Sequence, residues 1–401
     1  MSRINDLIKE KCPNGVIYDL LENISQNIMS GGTPLTSKRE YYDGNIPWLR
    51  SGEINFNKIY DTELCITELG LNNSSTKIVK GKSVVIAMTG ATVARVGTLE
   101  KSVSVNQSVC VVELDENKIN YRFLYHYLSS EYNNIKGQAQ GALTSINMNF
   151  IKKISVPILP IEVQDEIVDI LDKFCELEAE LEEELETRKK QYDFYRENLF
   201  SNKYKIIKLK EIADIYLGLT YRPTYVESGV KFISSQNISK DYLDLTNVKY
   251  ISRDEFNKST SNAKPQKGDI LFVRVGSNLG HPIILNTDEE LCIFVSLGYL
   301  RVKNNNVLNK YLRYWMTTKN FEEQVSAKTL NAPKANLNTS WLREFEIPLP
   351  SLKEQKRIVS ILDKFDKLIN DISEGLPAEI ELRKKQYEYY RNKLLSFEDK
   401  L

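Results

Sequence analysis

Residues 164–174 read QDEIVDILDKF and residues 355–365 read QKRIVSILDKF, so eight of eleven positions are identical. A second pair of segments is also duplicated: residues 188–199 read RKKQYDFYRENL, residues 383–394 read RKKQYEYYRNKL, and eight of twelve positions are identical. The offset between the copies is 191 residues for the first pair and 195 for the second. Four extra residues are close to one helical turn of 3.6 residues, so the copies keep nearly the same phase. The chain therefore contains one building unit twice.

The repeated segments have the spacing of coiled-coil helices, with steps of three and four residues and one stutter. The seam of the first copy consists of Ile167, Ile170, Phe174, Leu177, Leu181, Leu185, Arg188, Tyr192, Tyr195 and Leu199. No proline or glycine occurs in residues 161–200, which predicts a helix of about 39 residues and roughly 58 Å. In the second copy we predict that one helix ends at Gly375 and another restarts at Pro377.

A mixed block of about 150 residues, with short β-type runs, precedes each helix. The blocks correspond at a few anchors. The clearest is a Lys-Gly pair before an apolar strand, at residues 80–88 in the first block and 267–274 in the second. Outside the anchors the loops differ in length and in side chains. A shared scaffold with divergent loops predicts two sites that do the same job on different targets.

The charge is balanced overall, with 54 basic and 54 acidic residues, but it is unevenly distributed. Residues 162–200 carry 5 basic and 14 acidic side chains, whereas residues 202–341 carry 20 basic and 13 acidic ones. A basic second block is compatible with binding a polyanion. Taken alone, this pattern is weak support for a nucleic-acid partner.

The composition argues against a membrane, disulfide or metal protein. No stretch approaches about 18 consecutive apolar residues, and the polar start lacks a signal peptide, so we expect a cytoplasmic protein. The cysteines are odd in number, widely spaced and free of any CxxC pair, which favours reduced thiols. They are Cys12, Cys65, Cys110, Cys175 and Cys292.

The sequence also lacks the motifs of methyltransferases, nucleotide-binding enzymes and common hydrolases. An adenine methyltransferase would need an Asp or Asn-Pro-Pro-aromatic motif, and a phosphate-binding loop would need a spacing that residues 31–38 do not have. The only histidines, His126 and His281, leave little for triad or metalloprotease chemistry. Packed or exposed histidines are the simpler interpretation. We therefore predict no catalytic centre and no metal site.

The repeated motifs resemble the specificity subunit of type I restriction-modification systems. In this sequence the family pattern stands as IPLP at 347–350, EQ at 354–355, ILDKF at 361–365, and EGLPAEIELRKKQYEYYRNKLL at 374–395. The resemblance covers essentially the whole chain. It departs from the pattern at Ala94, where the second block has Gly280, and at Pro160, which lies one place later than Pro350.

The resemblance implies a fold and boundaries. The fold class is α+β: two mixed α/β target-recognition domains, separated and joined by two long helices that pack as an antiparallel coiled coil in a pseudo-twofold repeat. The predicted boundaries are 1–150 for the first recognition domain, 151–201 for the central helix, 202–341 for the second recognition domain and 342–401 for the C-terminal helix.

The resemblance also implies partners and a role. Such a subunit binds double-stranded DNA and joins two methyltransferase subunits, and the modification enzyme recruits two restriction subunits. Each recognition domain would read one half of a bipartite, asymmetric site, with half-sites about one DNA turn apart, roughly 34 Å. The helices would act as a ruler for the unread spacer. No cofactor belongs to this subunit, because S-adenosylmethionine, ATP and Mg would be bound by the partners.

The candidate DNA contacts are polar loop residues, because base edges are read by Arg, Lys, Asn, Gln, Ser and Thr. In the first block they are Lys38, Arg39, Arg50, Ser51, Thr89, Thr92, Arg95, Gln138, Gln140, Thr144 and Asn147. In the second block they are Arg222, Ser234, Gln236, Arg274, Asn278, His281, Lys328, Asn331, Lys334 and Asn338. For each, a solvated or turn-bonded side chain is the alternative. Asn147 and Asn338 lie at equal offsets from their helices, which also fits a structural turn.

Aromatic residues offer a second kind of contact. Tyr41, Tyr42 and Trp48 have the chemistry to stack on a displaced base, but packing is the simpler interpretation. On the helices, the predicted subunit contacts are Phe174, Arg188, Tyr192, Tyr195, Phe365, Arg383, Tyr387 and Tyr390. The basic triplets at 188–190 and 383–385 could instead touch phosphates or face solvent, and the acidic run at 176–186 is interpreted as solvated or as facing a basic partner.

Two other functions remain open from the sequence. A coiled-coil adaptor could display two lobes to other proteins, and it would bind without the steep salt dependence of DNA binding. A related restriction system could have its cleavage domain fused to its methyltransferase. The partner genes distinguish that system from the first interpretation.

Overall fold

The computed structural model describes residues 2–139, 145–200, 204–239, 242–259, 264–276, 278–330, 336–371 and 373–397. The chain forms two compact units. Unit 1 consists of Met1–Glu182 and Glu379–Leu401, and unit 2 consists of Glu183–Ala378. Each unit therefore combines one mixed block with helical segments from both repeat copies. The predicted domain boundaries concern the sequence repeat, and they stay a prediction.

Unit 1 has a mixed α/β architecture. Its strands are β1 (Ile17–Leu20), β2 (Ser25–Ser30), β3 (Tyr42–Leu49), β4 (Lys58–Ile59), β5 (Cys65–Ile66), β6 (Ile78–Val79), β7 (Ser83–Ala87), β8 (Val96–Leu99), β9 (Val103–Val105), β10 (Val109–Leu114) and β11 (Ser155–Ile158). Its helices are α1 (Ser2–Lys11), α2 (Leu21–Ile24), α3 (Glu68–Asn72), α4 (Tyr121–Ser130), α5 (Tyr132–Gly137), α6 (Met148–Lys152) and the first part of α7 (Ile161–Leu199). The strand orders are β2-β10-β7-β8-β4, β5-β3-β9-β6 and β1-β11.

Unit 2 repeats this plan. Its strands are β12 (Lys205–Lys208), β13 (Ala213–Leu217), β14 (Tyr225–Val226), β15 (Val230–Ile233), β16 (Ile238–Ser239), β17 (Tyr242–Leu243), β18 (Lys249–Ile251), β19 (Ile270–Val273), β20 (Pro282–Ile284), β21 (Leu291–Ile293), β22 (Leu297–Val302) and β23 (Glu346–Leu349). Its helices are α8 (Leu209–Ile212), α9 (Arg253–Ser259), α10 (Asn309–Trp315), α11 (Lys319–Thr329), α12 (Thr339–Leu342) and α13 (Leu352–Asn370), followed by α14 (Leu376–Leu395), most of which belongs to unit 1. The strand orders are β13-β22-β19-β20, β14-β18-β15-β21, β12-β23 and β16-β17.

The first residue of each copy of the repeated motif, Gln164 or Gln355, has the same structural role. Gln164 is fully buried, and its amide donates to the carbonyls of Leu159 at 2.7 Å and Lys118 at 2.9 Å and accepts from the N–H of Asn120 at 2.8 Å. Gln355 makes the corresponding three bonds in unit 2. A buried amide has to satisfy both its donor and its acceptor, and glutamine does so here with three backbone groups. The motif therefore ties each helix to its own block.

The helical motifs pack on each other within each unit. In unit 1, Phe174 of α7 stacks on Tyr390 of α14 with ring centres 5.2 Å apart, and Lys384 lies 3.0 Å from Glu182. The contacting residue number rises from 174 to 182 along α7 and falls from 390 to 384 along α14. The two helices are therefore antiparallel. In unit 2, Tyr195 packs on Phe365 with ring centres 5.5 Å apart. Each ILDKF phenylalanine thus meets a tyrosine of the other motif.

The helix lengths agree with the sequence. Helix α7 has 39 residues, as the absence of proline and glycine predicts. The second copy is divided, because α13 ends at Asn370 and α14 begins at Leu376. A Cβ on Gly375 would lie 2.6 Å from the carbonyl oxygens of both Asp371 and Lys367, so this turn requires glycine. The predicted interruption is confirmed, but the first helix ends at Asn370, before Gly375, and the new helix starts one residue before Pro377.

A largely buried polar cluster lies in unit 1, with the side chain of Asp172 19% exposed. Asp172 accepts from Arg122 Nη2 at 2.6 Å and lies 2.7 Å from Nε2 of His126, whose Nδ1 lies 2.9 Å from the hydroxyl of Tyr387. Arg122 is 6% exposed and His126 is fully buried. Burial lowers the pKa of His126 to about 4 although Asp172 is close. The imidazole is therefore neutral at pH 7, and His126 is a packed residue.

We expect unit 1 to lose stability in mild acid. The pKa of His126 is about 4 in the folded chain and about 6.5 when unfolded, so the unfolded chain binds the extra proton first. The contribution is fully present above pH 6.5 and is lost as the pH falls towards 4, by on the order of 3 kcal/mol. Urea unfolding at pH 7 and pH 4.5 measures the loss. His126→Tyr introduces the residue found at the equivalent position 314, and it should reduce this acid-induced loss of unfolding free energy. An unchanged loss would show that His126 does not cause it.

Candidate nucleic-acid interface

Three connecting segments converge at one edge of unit 1. They are the 3₁₀ turn Ser51–Glu53 after β3, the turn between β7 and β8, and the segment before α6. The Thr92 hydroxyl donates to the carbonyl of Ser51 at 2.8 Å, and Thr89 pairs with Ser145 in an isolated β-bridge. Arg95 donates to the Asn55 side chain at 2.9 Å. The structure thus gathers Ser51, Thr89, Thr92 and Arg95 into one polar surface.

Other predicted cations of the first block lie apart or are neutralised. Arg50 adjoins the 3₁₀ turn, but its guanidinium contacts the carboxylates of Glu53 and Glu63. Binding a phosphate there would require these ion pairs to open. Lys38 and Arg39 are exposed and precede β3, whereas Arg50 follows it, so the strand separates them. The structure does not bring Lys38 and Arg39 to the surface that contains Thr92.

The two predicted asparagines have a structural role. Asn147 caps α6 by accepting from the N–H of Phe150 at 2.8 Å, and Asn338 caps α12 by accepting from the N–H of Ser340 at 3.0 Å. An N-cap side chain satisfies a helix N–H that has no partner within the helix. The turn role considered from the sequence is therefore confirmed for both. Gln138 is exposed just after α5. Gln140, Thr144, Asn331 and Lys334 lie outside the described residues.

Unit 2 assembles the same three segments. Ser234 caps the 3₁₀ turn Ser235–Asn237 after β15, and the N–H of Ser235 donates to the Ser296 hydroxyl at 3.0 Å. The turn between β19 and β20 carries Asn278, which is exposed, and His281, which is half-buried. Remaining predicted residues of this block, Gln236, Arg222 and Lys328, are exposed. Arg222 lies over the ring of Tyr225 at 5.7 Å.

Backbone bonds show that the two sites are equivalent. In unit 1 the N–H of Ile146 donates to the carbonyl of Met88 at 2.9 Å, and in unit 2 the N–H of Leu337 donates to the carbonyl of Arg274 at 2.9 Å. Ala94 and Gly280 also correspond, because each closes its turn onto the preceding strand with positive φ, 68° and 81°. Glycine adopts that conformation without cost, whereas alanine is strained there. The divergence at Ala94 therefore leaves the turn in place.

Arg274 lies beneath this surface and not on it. The residue is only 6% exposed, and its guanidinium donates to the carbonyls of Val295 at 2.8 Å and Leu337 at 3.1 Å and to the side chain of Asn336 at 3.3 Å. Direct contact with a base edge would require it to leave all three acceptors. The burial contradicts its prediction as a direct DNA contact, because the side chain is almost inaccessible and three of its five N–H donors bond to protein acceptors.

The aromatic candidates of the first block are packed. Trp48 is 4% exposed, and its indole N–H donates to the carbonyl of Gly32 at 3.1 Å. Tyr41 is buried, whereas Tyr42 is half-buried and its hydroxyl donates to the carbonyl of Pro34 at 2.6 Å. A buried aromatic ring with a satisfied polar atom stabilises the fold and has no free face for a base. The structure therefore supports the packing interpretation for Trp48 and Tyr41.

The helix residues predicted as subunit contacts are mostly used inside the chain. Phe174 packs on Tyr390, Tyr192 and Tyr195 pack on Phe365, and Tyr387 contacts His126. These aromatics therefore make intramolecular contacts, although Tyr195 stays 46% exposed. The two arginines bond within their own helices: Arg188 to Gln191 and Glu184, and Arg383 to Gln386 and Glu379.

Several exposed or connecting residues were not predicted from the sequence. Phe194 is 65% exposed and Tyr389 is 59% exposed, and they occupy equivalent positions in QYDFYR and QYEYYR. The repeat itself was the signal, since the same large aromatic class recurs there. Ser108 and Ser296 were also missed. Their carbonyls accept from the N–H groups of the equivalent residues Met88 and Arg274. Ser108 directly precedes β10, and Ser296 directly precedes β22.

The described residues show neither a metal-binding cluster nor a membrane-spanning helix. They contain no group of three His, Cys, Asp or Glu side chains placed to hold a metal ion. None of their helices combines the length and the apolar character needed to cross a bilayer.

The family model for the type I restriction modification DNA specificity domain matches the chain twice, at residues 22–187 and 201–382. The chain belongs to this family. The two matches include the two sites described above, so each repeat unit corresponds to one specificity domain. The recognised resemblance and the fold of two mixed α/β blocks joined by long helices are thereby confirmed. As a specificity subunit, the chain is a non-catalytic member of its system.

Curated relatives support the assignment. The chain is 34% identical over 310 residues to the type I restriction enzyme EcoR124I/EcoR124II specificity subunit of Escherichia coli, covering 72% of this chain and 73% of the relative. It is 34% identical over 307 residues to a putative type I restriction enzyme specificity subunit of Haemophilus influenzae, covering 73% and 76%.

Solved structures share the fold. A chain from a study of complex assembly and conformational transition of the type I R-M system matches with a TM-score of 0.66 and 17% identity, covering 96% of this chain and 98% of that one. The S subunit of a type I system from M. genitalium matches with a TM-score of 0.56 and 17% identity, covering 96% and 97%. At this identity the likeness concerns the fold alone.

Proposed function

We propose that the chain reads a bipartite, asymmetric DNA site for a type I restriction-modification complex, with one half-site for each unit. The observation that carries this proposal is the equivalence of the two sites. The same three segments meet through the same backbone bonds, yet one surface presents Thr89, Thr92 and Arg95 and the other presents Asn278 and His281. Equal scaffolds with unequal side chains suit two unlike half-sites.

The repeat also supports the proposed protein partners. Phe194 and Tyr389 are exposed aromatics at equivalent positions, and each follows a lysine by four residues, Lys190 and Lys385, on the same helical face. Exposed aromatics beside a cation are common anchors of protein interfaces. Two equivalent anchors suit two copies of one partner, the methyltransferase subunit. In this proposal two restriction subunits join the modification enzyme, and the helices set the length of the unread spacer.

The proposal assigns the chemistry to the partners. S-adenosylmethionine, ATP and Mg would be bound by the methyltransferase and restriction subunits, and this chain would contribute the DNA surface. The complex would act in the cytoplasm, where the host DNA is found.

Salt dependence tests the proposal against a protein adaptor. The complex of this chain with its methyltransferase partner should bind duplex DNA with an affinity that falls steeply with salt, because cation contacts to phosphates release counterions. With about six to ten phosphate contacts, the affinity should fall about 10³- to 10⁵-fold between roughly 50 and 200 mM salt. Fluorescence anisotropy with a labelled duplex measures the slope. A flat response would favour the adaptor, and a duplex with the mapped methylation site should bind more tightly than a scrambled control.

A further inference from the structure

We propose that Arg274 is a positioning residue that sets the sequence preference of unit 2, acting through the loops it joins and not by touching DNA. The proposal rests on the proposed function, because it concerns how the unit 2 surface recognises its half-site. The repeat-equivalent residue in unit 1 is Met88, so this control over the loops would exist in one unit only.

The geometry of Arg274 connects the three recognition segments. Its side chain bonds to Val295, in the turn between β21 and β22, and to Asn336 and Leu337, in the segment before α12. Its own backbone begins the turn between β19 and β20, and its N–H donates to the carbonyl of Ser296 at 2.8 Å. The Ser296 hydroxyl in turn accepts from the 3₁₀ turn after β15. The guanidinium thus joins the segment before α12 to the turn before β22, and the backbone of Arg274 and the hydroxyl of Ser296 connect these to the other two segments.

The charge of Arg274 is unusual for a purely structural residue. Within the described part of the chain, no carboxylate forms an ion pair with it, and its acceptors are two carbonyls and an amide side chain. Burial lowers the pKa of the guanidinium, with no opposite charge to offset the effect. Burying an unpaired cation has a free-energy cost, so stability alone does not favour arginine here.

Unit 1 shows that the turn does not need this side chain in order to form. Met88 occupies the equivalent position, is 8% exposed, and makes the same backbone bonds, with Ser108 and with Ile146. Methionine fills the space without polar bonds to the neighbouring segments. The additional bonds of Arg274 therefore serve the placement of the unit 2 loops, including Asn278 and His281 on the turn it begins.

The test replaces Arg274 by methionine, the residue of the equivalent position, within the intact complex. With duplexes carrying single substitutions in the half-site of unit 2, discrimination against the wrong base should fall by about tenfold. Discrimination in the other half-site should stay unchanged. The slope of affinity against salt should also stay unchanged, because no phosphate contact is lost. Arg274→Lys, which keeps a donor for the carbonyls, should restore part of the discrimination.

Lys328→Met is the matched control, because it removes one exposed cation from the same unit. If Lys328 contacts a phosphate, its loss weakens binding to every duplex equally and lowers the salt slope by about 1. Arg274→Met behaving in that way would overturn the proposal and show a direct phosphate contact. Unchanged discrimination, or an equal loss in both half-sites, would overturn it as well.

Two further measurements keep the outcome clear. Asn336→Ala removes a single acceptor of the guanidinium and should lower discrimination in the half-site of unit 2. If Arg274→Met fails to fold, Asn336→Ala and Arg274→Lys test the role of Arg274 in its place. A wild-type complex without salt-dependent, sequence-dependent binding would refute the proposed function itself. A wild-type complex that discriminates normally, beside an Arg274→Met complex that does so equally well, would refute only the role of Arg274.

Discussion

Replacing Asp172 by alanine is expected to lower the free energy of unfolding of unit 1 by about 3–5 kcal/mol, the usual cost of removing one partner of a buried ion pair. Arg122 donates to Asp172 through Nε and Nη2, at distances between 2.6 and 3.2 Å, and its side chain is only 7% exposed. The pKa of Asp172 lies well below its ordinary range because His126 and Arg122 donate to the carboxylate. Without it, a buried guanidinium and a buried imidazole lose their shared partner.

Asp363→Ala is the matched control, because Asp363 is the repeat-equivalent residue in unit 2. Its partners are Lys310, at 2.7 Å with a side chain 57% exposed, and the hydroxyl of Tyr314 at 2.7 Å. An exposed lysine loses little when its partner is removed, so we expect a loss of about 1 kcal/mol. Hydrogen exchange of the intact chain, followed separately in α4 and α10, measures each unit. Equal losses in the two units would contradict the argument from burial.

Exchanging residues 19–146 for the corresponding block of another family member is expected to change one half-site of the recognised DNA and leave the other unchanged. The exchanged block carries the whole polar surface of unit 1, including Thr89, Thr92 and Arg95, while the surface of unit 2 stays intact. Each mismatched base pair costs about 1–3 kcal/mol, so the original half-site should lose about 10- to 100-fold in preference for one altered position.

Mapping of methylated adenine in cells that carry the exchanged chain and its methyltransferase partner measures the result. The reciprocal control exchanges residues 207–337, the equivalent block of unit 2, and should change the other half-site only. A change in both half-sites after either exchange would show that the two units do not read DNA independently. The same map assigns each half-site to its unit, which the test of Arg274 needs.

Much of the architecture follows from local sequence. The spacing of apolar residues predicts α7, the pair Gly375 and Pro377 predicts the division of the second helix, and the repeat predicts two similar blocks. These features depend on short-range rules: helix periodicity, the steric freedom of glycine and the lack of an N–H in proline. The caps at Asn147 and Asn338 are of the same kind, because each side chain bonds to a backbone group within three residues.

The candidate sites were harder to read from the sequence. A polar loop residue looks the same in a sequence whether its side chain points out, as at Asn278, or bonds to carbonyls distant in the chain, as at Arg274. The acceptors of Arg274 are 21 to 63 residues away in the sequence, so no local pattern predicts them. Likewise, the seam predicts that Phe174 is buried, but not that Tyr390 of the C-terminal helix is the ring against it.

By itself, the sequence determined that the chain carries one unit twice, with long helices after mixed blocks, and its repeated motifs identified the family. Only the tertiary structure decided which helical segment completes which unit, that Arg274 is buried, and that Phe194 and Tyr389 stay exposed. The reason is physical. Periodicity and turn chemistry act over a few residues, whereas burial and hydrogen-bond partners depend on segments that folding brings together from distant parts of the chain.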